Sequence, residues 1–144
     1  MNKNLIRKYA KLIARVGANI KKGQPVIITI SVDQYEFANY LVEECYRAGA
    51  SRVEINWRSQ PLTKLDYKYR TLKSLSEVKE WEIEKLKLRV EETPCTIFIL
   101  SDDPNGLDGI DRVKMQEAKK AVYPIKKPYL DKLENRVIQS GPQP

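Results

Sequence analysis

The first quarter of the chain changes from a helical to a strand-like hydrophobic period. Near the N-terminus, apolar residues recur at helical spacing with Lys and Arg between them, which predicts an amphipathic helix ending near Lys22. Its apolar stripe consists of Leu5, Ile6, Tyr9, Leu12, Ile13, Val16 and Ile20. After the turn Gly23-Gln24-Pro25, the run VIITI at 26–30 is rich in β-branched residues and predicts a strand covered on both faces.

A second helix and a second strand follow. Asp33 and Glu36 have the spacing of a capping box ahead of an apolar-periodic run, and Gly49 is placed to end that helix. The alternating segment RVEINW at 52–57 predicts a strand with one more exposed face, which suits an edge of the sheet.

Two further helices are predicted between 59 and 92. Ser59 marks the start of the first helix and Ser74 marks the start of the second. Thr93-Pro94 then breaks the pattern, because a residue before proline is biased away from the helical region.

The run CTIFIL at 95–100 predicts a third buried strand, followed by the polar loop SDDPNGLDGID at 101–111. A last helix starts near Asp111, and Pro124 and Pro128 are expected to kink or interrupt it. Strands that alternate with helices imply parallel pairing with right-handed crossovers. We therefore predict an α/β fold: a small three-layer sandwich, with a mainly parallel sheet of about three core strands flanked by helices.

Composition places this pattern in a soluble globular class. The chain has 144 residues, of which 42% are apolar and 31% are charged, and it carries a formal charge of +7. The first 22 residues hold seven Lys or Arg and no Asp or Glu, which indicates either a solvated helix face or a surface for nucleic acid or an acidic protein. With no secretion signal or membrane-length apolar run, the expected location is the cytoplasm, away from membranes.

The residues that usually carry chemistry are scarce. The chain contains no histidine, which removes His-based triads and most zinc sites. Cys45 and Cys95 lie in apolar surroundings and are predicted to be buried thiols that form no disulfide. Trp57 and Trp81 are interpreted as core anchors.

Two ligand patterns can be compared with the sequence. The first strand-to-helix turn, ITISVDQYEF, contains no glycine, which argues against a phosphate cradle and a dinucleotide site. The acidic loop offers Asp102, Asp103, Asn105, Asp108 and Asp111 as oxygen ligands. An EF-hand register starting at Asp103 fails at its later positions, so the loop is predicted to be a turn followed by a helix cap at Asp108 or Asp111.

Three segments come in the order and spacing of a known family. They are KYAKLIARVGANIKKGQPVIITI at 8–30, LVEECYRAGASRVEINW at 41–57 and SDDPNGLDGIDRVKMQEAKKA at 101–121. The chain resembles, over about residues 5 to 136, the N-terminal domain of thermophilic-type metallo-aminopeptidases, the aminopeptidase T and aminopeptidase S group.

The resemblance implies an α/β N-terminal domain joined to a larger C-terminal domain with a pair of divalent metals (Zn, Co or Mg). It further implies peptide substrates, a homodimer, and Glu, His, Tyr and Asp metal ligands that all lie in the C-terminal domain. No catalytic or metal-binding residue is therefore assigned here, and no cofactor is expected on this chain. Ser31, Trp57 and Ser101, which stand at predicted strand ends, are the candidates for cleft-facing positions.

The expected domain boundary falls near residue 135. Residues 1–135 form the N-terminal aminopeptidase-type domain, and 136–144 are a tail or the start of a missing catalytic domain. The segment NRVIQ begins like the first strand of that domain and then departs into SGPQP, which predicts a truncation or a frameshift.

The resulting expectation is the non-catalytic N-terminal domain of a metal-dependent aminopeptidase, inactive alone, whose partner is the missing catalytic domain. The alternative is a stand-alone basic module that binds nucleic acid or an acidic protein, with nucleic acid disfavoured. A self-associating remnant is a third hypothesis, because a missing partner domain leaves apolar surface exposed.

Overall fold

A computed structural model describes residues 2–133 and the backbone of residues 135–139. The helices are α1 (Lys3–Leu12), α2 (Tyr35–Arg47), α3 (Gln60–Tyr69), α4 (Leu72–Ser76), α5 (Glu80–Glu92) and α6 (Arg112–Leu130). The strands are β1 (Pro25–Ser31), β2 (Arg52–Arg58), β3 (Cys95–Leu100) and β4 (Asn135–Gln139). The α/β class is confirmed, and so is the predicted order of helices and strands through α6, except that three helices, α3, α4 and α5, lie between β2 and β3 where two were predicted.

The described strands form one parallel sheet in the order β2-β1-β3-β4. The two most apolar runs, β1 and β3, take the central places, and β2 lies at an edge as its alternating sequence predicts. Ile28 of β1 pairs with Ile97 of β3 at the centre of the sheet, and both side chains are fully buried. β4 adds to β3, while the domain boundary predicted near 135 stays a prediction.

The chain divides into two compact units. Unit 1 contains residues up to 58, residues 93–102 and β4, and therefore holds the whole sheet with α1 and α2. Unit 2 contains residues 59–92 and 103–133, and therefore holds α3 to α6.

Unit 1 is organised around a hydrophobic core between the sheet and its two helices. The core is built from β-branched strand residues and from small, aliphatic and aromatic helix residues, which close-pack with few voids. Its largest buried members include Ile28, Ile30, Leu41, Ile97 and Ile99. Gly49 lets α2 end close to the N-terminal segment, because its φ is +106° and an added Cβ would lie 3.1 Å from the Lys22 backbone.

The first helix differs from its prediction in its length and in which of its residues are buried. Its α-helical part ends at Leu12, a π-helical turn follows over Ile13–Gly17, and the helix does not reach Lys22. The buried residues of this segment are Ile6, Ala10, Ile13 and Ala14, whereas predicted stripe residues such as Leu5 and Val16 are exposed.

Two predicted helix starts are wrong. Asp33 and Glu36 form no capping box, because a 3-10 turn over Val32–Gln34 intervenes and α2 begins without a side-chain cap. Ser74 lies inside α4, which Thr71 caps, and α5 begins at Glu80. Ser59 does cap α3, as predicted.

The prolines of α6 do not interrupt the helix, which runs from Arg112 to Leu130. Pro124 and Pro128 each remove one backbone donor, and both are solvent-exposed. The carbonyl oxygens left without a helical partner can therefore be hydrated, which lowers the cost of proline at these positions.

The cysteine prediction is confirmed and the tryptophan prediction is wrong. Cys45 and Cys95 are buried and form no disulfide. Burial, with smaller contributions from Cys95 and Glu44, raises the pKa of Cys45 to about 12. Trp57 and Trp81 are 49% and 66% exposed, so neither anchors a core.

Candidate functional site

The carboxyl ends of β2, β1 and β3 meet at one edge of the sheet. Ile30 pairs with both Trp57 and Ile99, and Ser31 pairs with Arg58. Ser101 follows directly after β3. The three predicted cleft residues therefore stand at neighbouring strand ends, which is where open α/β sheets usually bind ligands.

The three side chains differ in exposure. Trp57 presents about half of its surface to solvent, whereas Ser31 and Ser101 are half-buried. The Ser101 hydroxyl oxygen is enclosed and has no hydrogen-bond partner among the described residues. An enclosed hydroxyl without a partner costs about 1–3 kcal/mol, so a polar group placed next to it would be stabilising.

An ion pair crosses the same edge. Arg58, the last residue of β2, donates from Nη2 to Asp102 Oδ2 at 2.8 Å. Because β1 lies between β2 and β3, this pair passes the carboxyl end of β1 beside Ser31. Both side chains are more than a third exposed, so the pair contributes little to stability and is open to a ligand.

We call this edge, with Ser31, Trp57, Arg58, Ser101 and Asp102, the sheet-edge site. It offers two hydroxyls, an aromatic face and one guanidinium–carboxylate pair. In the described residues, neither serine hydrogen-bonds to a carboxylate or an amine that could serve as its general base. The arrangement is therefore suited to positioning a ligand and does not contain an activated nucleophile.

Sequence reasoning found the strand ends but missed the ion pair. Arg58 and Asp102 are 44 residues apart, and each looks like an ordinary polar residue after a strand. Only the strand order, with β2 and β3 on either side of β1, brings them together.

The acidic loop behaves as a turn and a helix cap, as predicted. Asp103 accepts a hydrogen bond from the Asn105 backbone at 2.9 Å, and Asp111 caps α6 by accepting from the Lys114 backbone at 3.0 Å. Asp108 approaches Arg112 at 3.8 Å. These carboxylates serve local structure rather than a shared metal.

The residues present do not fit the divalent metal pair that the resemblance implies. Within 2–133, no group of three or more His, Cys, Asp or Glu side chains could hold a metal ion. The chain has no histidine, and its two cysteines are buried in the core.

Comparison with known proteins places this fold in a family. Residues 2–139 match the thermophilic metalloprotease family M29, and the chain belongs to that family. Its fold superposes on wild-type AmpT from Thermus thermophilus with a TM-score of 0.82 and 28% identity, covering 96% of this chain and 36% of that protein.

Individual relatives agree with the family match. The chain is 31% identical to aminopeptidase AmpS of Bacillus subtilis, over 81% of its own length and 28% of the relative's. It is 30% identical to aminopeptidase T of Thermus thermophilus, over 90% of its own length and 32% of the relative's. The chain thus spans about a third of the length of these relatives. No helix in the described residues is long and apolar enough to cross a membrane.

Proposed function

We propose that this chain is the N-terminal, non-catalytic part of a metal-dependent aminopeptidase that removes N-terminal residues from peptides, and that it does not hydrolyse peptides alone. The family match over 2–139 carries the proposal, because nearly the whole chain corresponds to only a third of its relatives. The lack of a fitting metal cluster in 2–133 supports the assignment of the chemistry to another part of the enzyme.

In this proposal the sheet-edge site forms a wall of the substrate cleft. Ser31, Trp57 and Ser101 face the cleft, with the indole contacting apolar peptide side chains and the hydroxyls available to peptide amides. The Arg58–Asp102 pair holds the ends of β2 and β3 together across β1. These side chains act on substrate affinity and take no part in bond cleavage.

The finer features of the whole enzyme belong to the same proposal. The full-length protein holds two divalent ions, Zn, Co or Mg, on its C-terminal domain, forms a homodimer and works in the cytoplasm. The C-terminal catalytic domain is this chain's main partner.

A domain exchange tests the assignment. Residues 2–139 of this chain would replace the corresponding region of Thermus thermophilus aminopeptidase T, and hydrolysis of leucine para-nitroanilide would be measured. We expect the chimera to be active and the same enzyme without its N-terminal region to be inactive. A chimera that is folded and metal-loaded, yet as inactive as the deletion, would contradict the proposal.

The chimera also tests the cleft wall. Ser31→Ala, Trp57→Ala and Ser101→Ala together should raise KM several-fold and leave kcat nearly unchanged, because they contact the substrate away from the scissile bond. Trp81→Ala is the control, since it removes an exposed indole from unit 2, outside the proposed cleft wall. Equal KM values for the triple variant and the control would remove these residues from the cleft.

A further inference from the structure

A cationic groove runs between α1 and α2 in unit 1. Its volume is about 330 Å³, and its walls come from one face of the N-terminal helix and from the last turn of α2. The lining residues are Asn4, Arg7, Lys8, Lys11, Arg15, Glu44 and Arg47. Five of them are cations and one is an anion, and the first turn of α1 contains no acidic residue. We call this the α1–α2 groove.

The arginines of the groove are held in place. Arg15 donates to the Arg47 carbonyl oxygen at 3.4 Å, and Arg47 pairs with Glu43 at 2.8 Å. Arg7 lies over the Tyr40 ring, 5.3 Å from its centroid. Fixed guanidinium groups lose less conformational freedom on binding an anion than mobile side chains do.

The lysines of the groove are available. Lys8 and Lys11 are exposed, and neither forms an ion pair within residues 2–133. They lie three apart on α1 and so project from the same helix face. Two neighbouring ammonium groups without a counterion can each take a carboxylate or a phosphate.

The floor of the groove carries a carboxylate. Glu44 is 2% exposed, and its Oε1 pairs with Arg47 at 3.4 Å. Its other oxygen, Oε2, is enclosed and has no hydrogen-bond partner in the described residues. A buried carboxylate oxygen without a donor is costly, so a ligand that brings an N–H or O–H donor is favoured over one that brings only negative charge.

We propose that the α1–α2 groove binds an acidic segment of another protein, with Asp or Glu carboxylates on Lys8 and Lys11 and a backbone or hydroxyl donor directed to Glu44. Because Oε2 is enclosed, a ligand donor reaches it only when the side chains around it shift. A phosphodiester backbone fits less well, because it offers no donor to Glu44 and is repelled by it. The inference rests on unit 1 alone and does not depend on the proposed function.

The test uses fluorescence anisotropy with the full 144-residue chain and a short fluorescein-labelled peptide of alternating glutamate and serine. We expect Lys8→Gln with Lys11→Gln to weaken peptide binding about tenfold, from the loss of two ion pairs. Lys21→Gln with Lys22→Gln is the control, since these exposed lysines belong to the same basic segment but lie outside the groove. Circular dichroism verifies that both double variants fold.

The control variant distinguishes binding in the α1–α2 groove from general electrostatic attraction to the basic N-terminal segment. An equal loss in both double variants, or no peptide binding by the unsubstituted chain, would overturn the proposal. A single-stranded oligonucleotide of matched charge that binds more tightly than the peptide would also overturn it, and would make the groove a nucleic-acid surface.

Glu44→Gln tests the floor directly while keeping a hydrogen-bonding group opposite Arg47. It should raise oligonucleotide affinity several-fold relative to peptide affinity, because the repelling charge is gone. An unchanged ratio of the two affinities would show that Glu44 does not choose the ligand and would overturn that part of the proposal.

Discussion

Units 1 and 2 use their apolar residues in opposite ways. Of the buried hydrophobic residues in the described chain, only Ala118 belongs to unit 2; all others belong to unit 1, where nearly all of them form the core. Unit 2 instead exposes large apolar side chains on every one of its helices, including Leu62, Leu72, Trp81 and Tyr123. A β-sheet covered by two helices therefore supplies the core of this chain, while four helices supply mostly surface.

Unit 2 is stabilised by helix caps, by ion pairs along its helices and by a few longer-range hydrogen bonds such as Lys114 Nζ to the Tyr67 carbonyl oxygen at 2.8 Å. Ser59, Thr71 and Asp111 cap its helices, and pairs such as Lys127 with Asp131, at 2.6 Å, lie along them. An open cavity of about 490 Å³ within unit 2 is lined largely by apolar side chains of α3, α4 and α6, with Asp66, Arg70, Lys119 and Lys126 at its margin. Caps and surface pairs each contribute about 1 kcal/mol or less, whereas the buried apolar side chains of unit 1 contribute more each.

The largest expected difference comes from truncating one apolar side chain in each unit. Ile97→Ala removes a fully buried side chain from the centre of the sheet and should lower the free energy of unfolding by about 2–5 kcal/mol. Leu88→Ala in α5 removes a side chain that is 56% exposed and should change it by no more than about 0.5 kcal/mol. Urea unfolding followed by circular dichroism measures both free energies. Similar losses in the two variants would contradict the difference between the two units.

A second difference concerns titration. In unit 1, burial raises the pKa of the Cys45 thiol from 9.0 to about 12, whereas in unit 2 the pKa of the exposed Lys87 is raised chiefly by its hydrogen bond to Glu84. The folded chain keeps the Cys45 proton at pH values where the unfolded chain loses it. The Cys45 thiol therefore leaves the free energy of unfolding unchanged below about pH 9 and lowers it as pH rises toward 12, by about 1.4 kcal/mol at about pH 10.

The Cys45 effect is isolated by substitution, because lysines and tyrosines also titrate in this range. The unfolding free energies of the unsubstituted chain and of Cys45→Ala would be compared at about pH 8 and about pH 10. The variant should lack the Cys45 share of the loss. The same pH dependence in both chains would show that the core does not hold the thiol protonated.

A smaller effect is expected at the helix starts. Asp111→Ala removes the cap of α6 and should cost about 1 kcal/mol, because the Lys114 backbone N–H loses its acceptor. Asp33→Ala is the control, since Asp33 precedes α2 but forms no cap hydrogen bond. Thermal unfolding would register the difference, and equal shifts in Tm would remove the distinction between the two positions.

The smallest effect belongs to the sheet edge. Arg58→Gln breaks the exposed pair with Asp102 and should change the free energy of unfolding by less than about 1 kcal/mol. In the aminopeptidase chimera, the same variant should alter KM more clearly than it alters Tm. A large loss of stability without a change in KM would make the pair a structural link only.

The strands and their environment were predictable because the local sequence determines them. VIITI and CTIFIL are apolar on both faces, which only a central parallel strand accommodates, and RVEINW alternates, which suits an edge. Helix boundaries were predictable at Gly49, which follows the end of α2, and at Ser59 and Asp111, which cap the starts of α3 and α6. The side chains or backbone angles responsible act within a few residues.

Features that depend on distant residues were not predictable. The exposure of Trp57 and Trp81 reflects what packs against them, and an indole in the sequence does not reveal this. The Arg58–Asp102 pair needs the strand order, and the α1–α2 groove needs the approach of two helices. The π-helical turn that ends the first helix preserves its period closely enough to look like more of the same helix.

The central claim is that this chain supplies fold and surface to an aminopeptidase but not its chemistry. The most direct measurement combines isothermal titration of the 144-residue chain with Zn²⁺, Co²⁺ and Mg²⁺ and an assay of leucine para-nitroanilide hydrolysis with each metal. We predict no stoichiometric metal binding in the micromolar range and no hydrolysis above the metal-only blank. Hydrolysis by the chain that a chelator abolishes and the metal restores would contradict the claim.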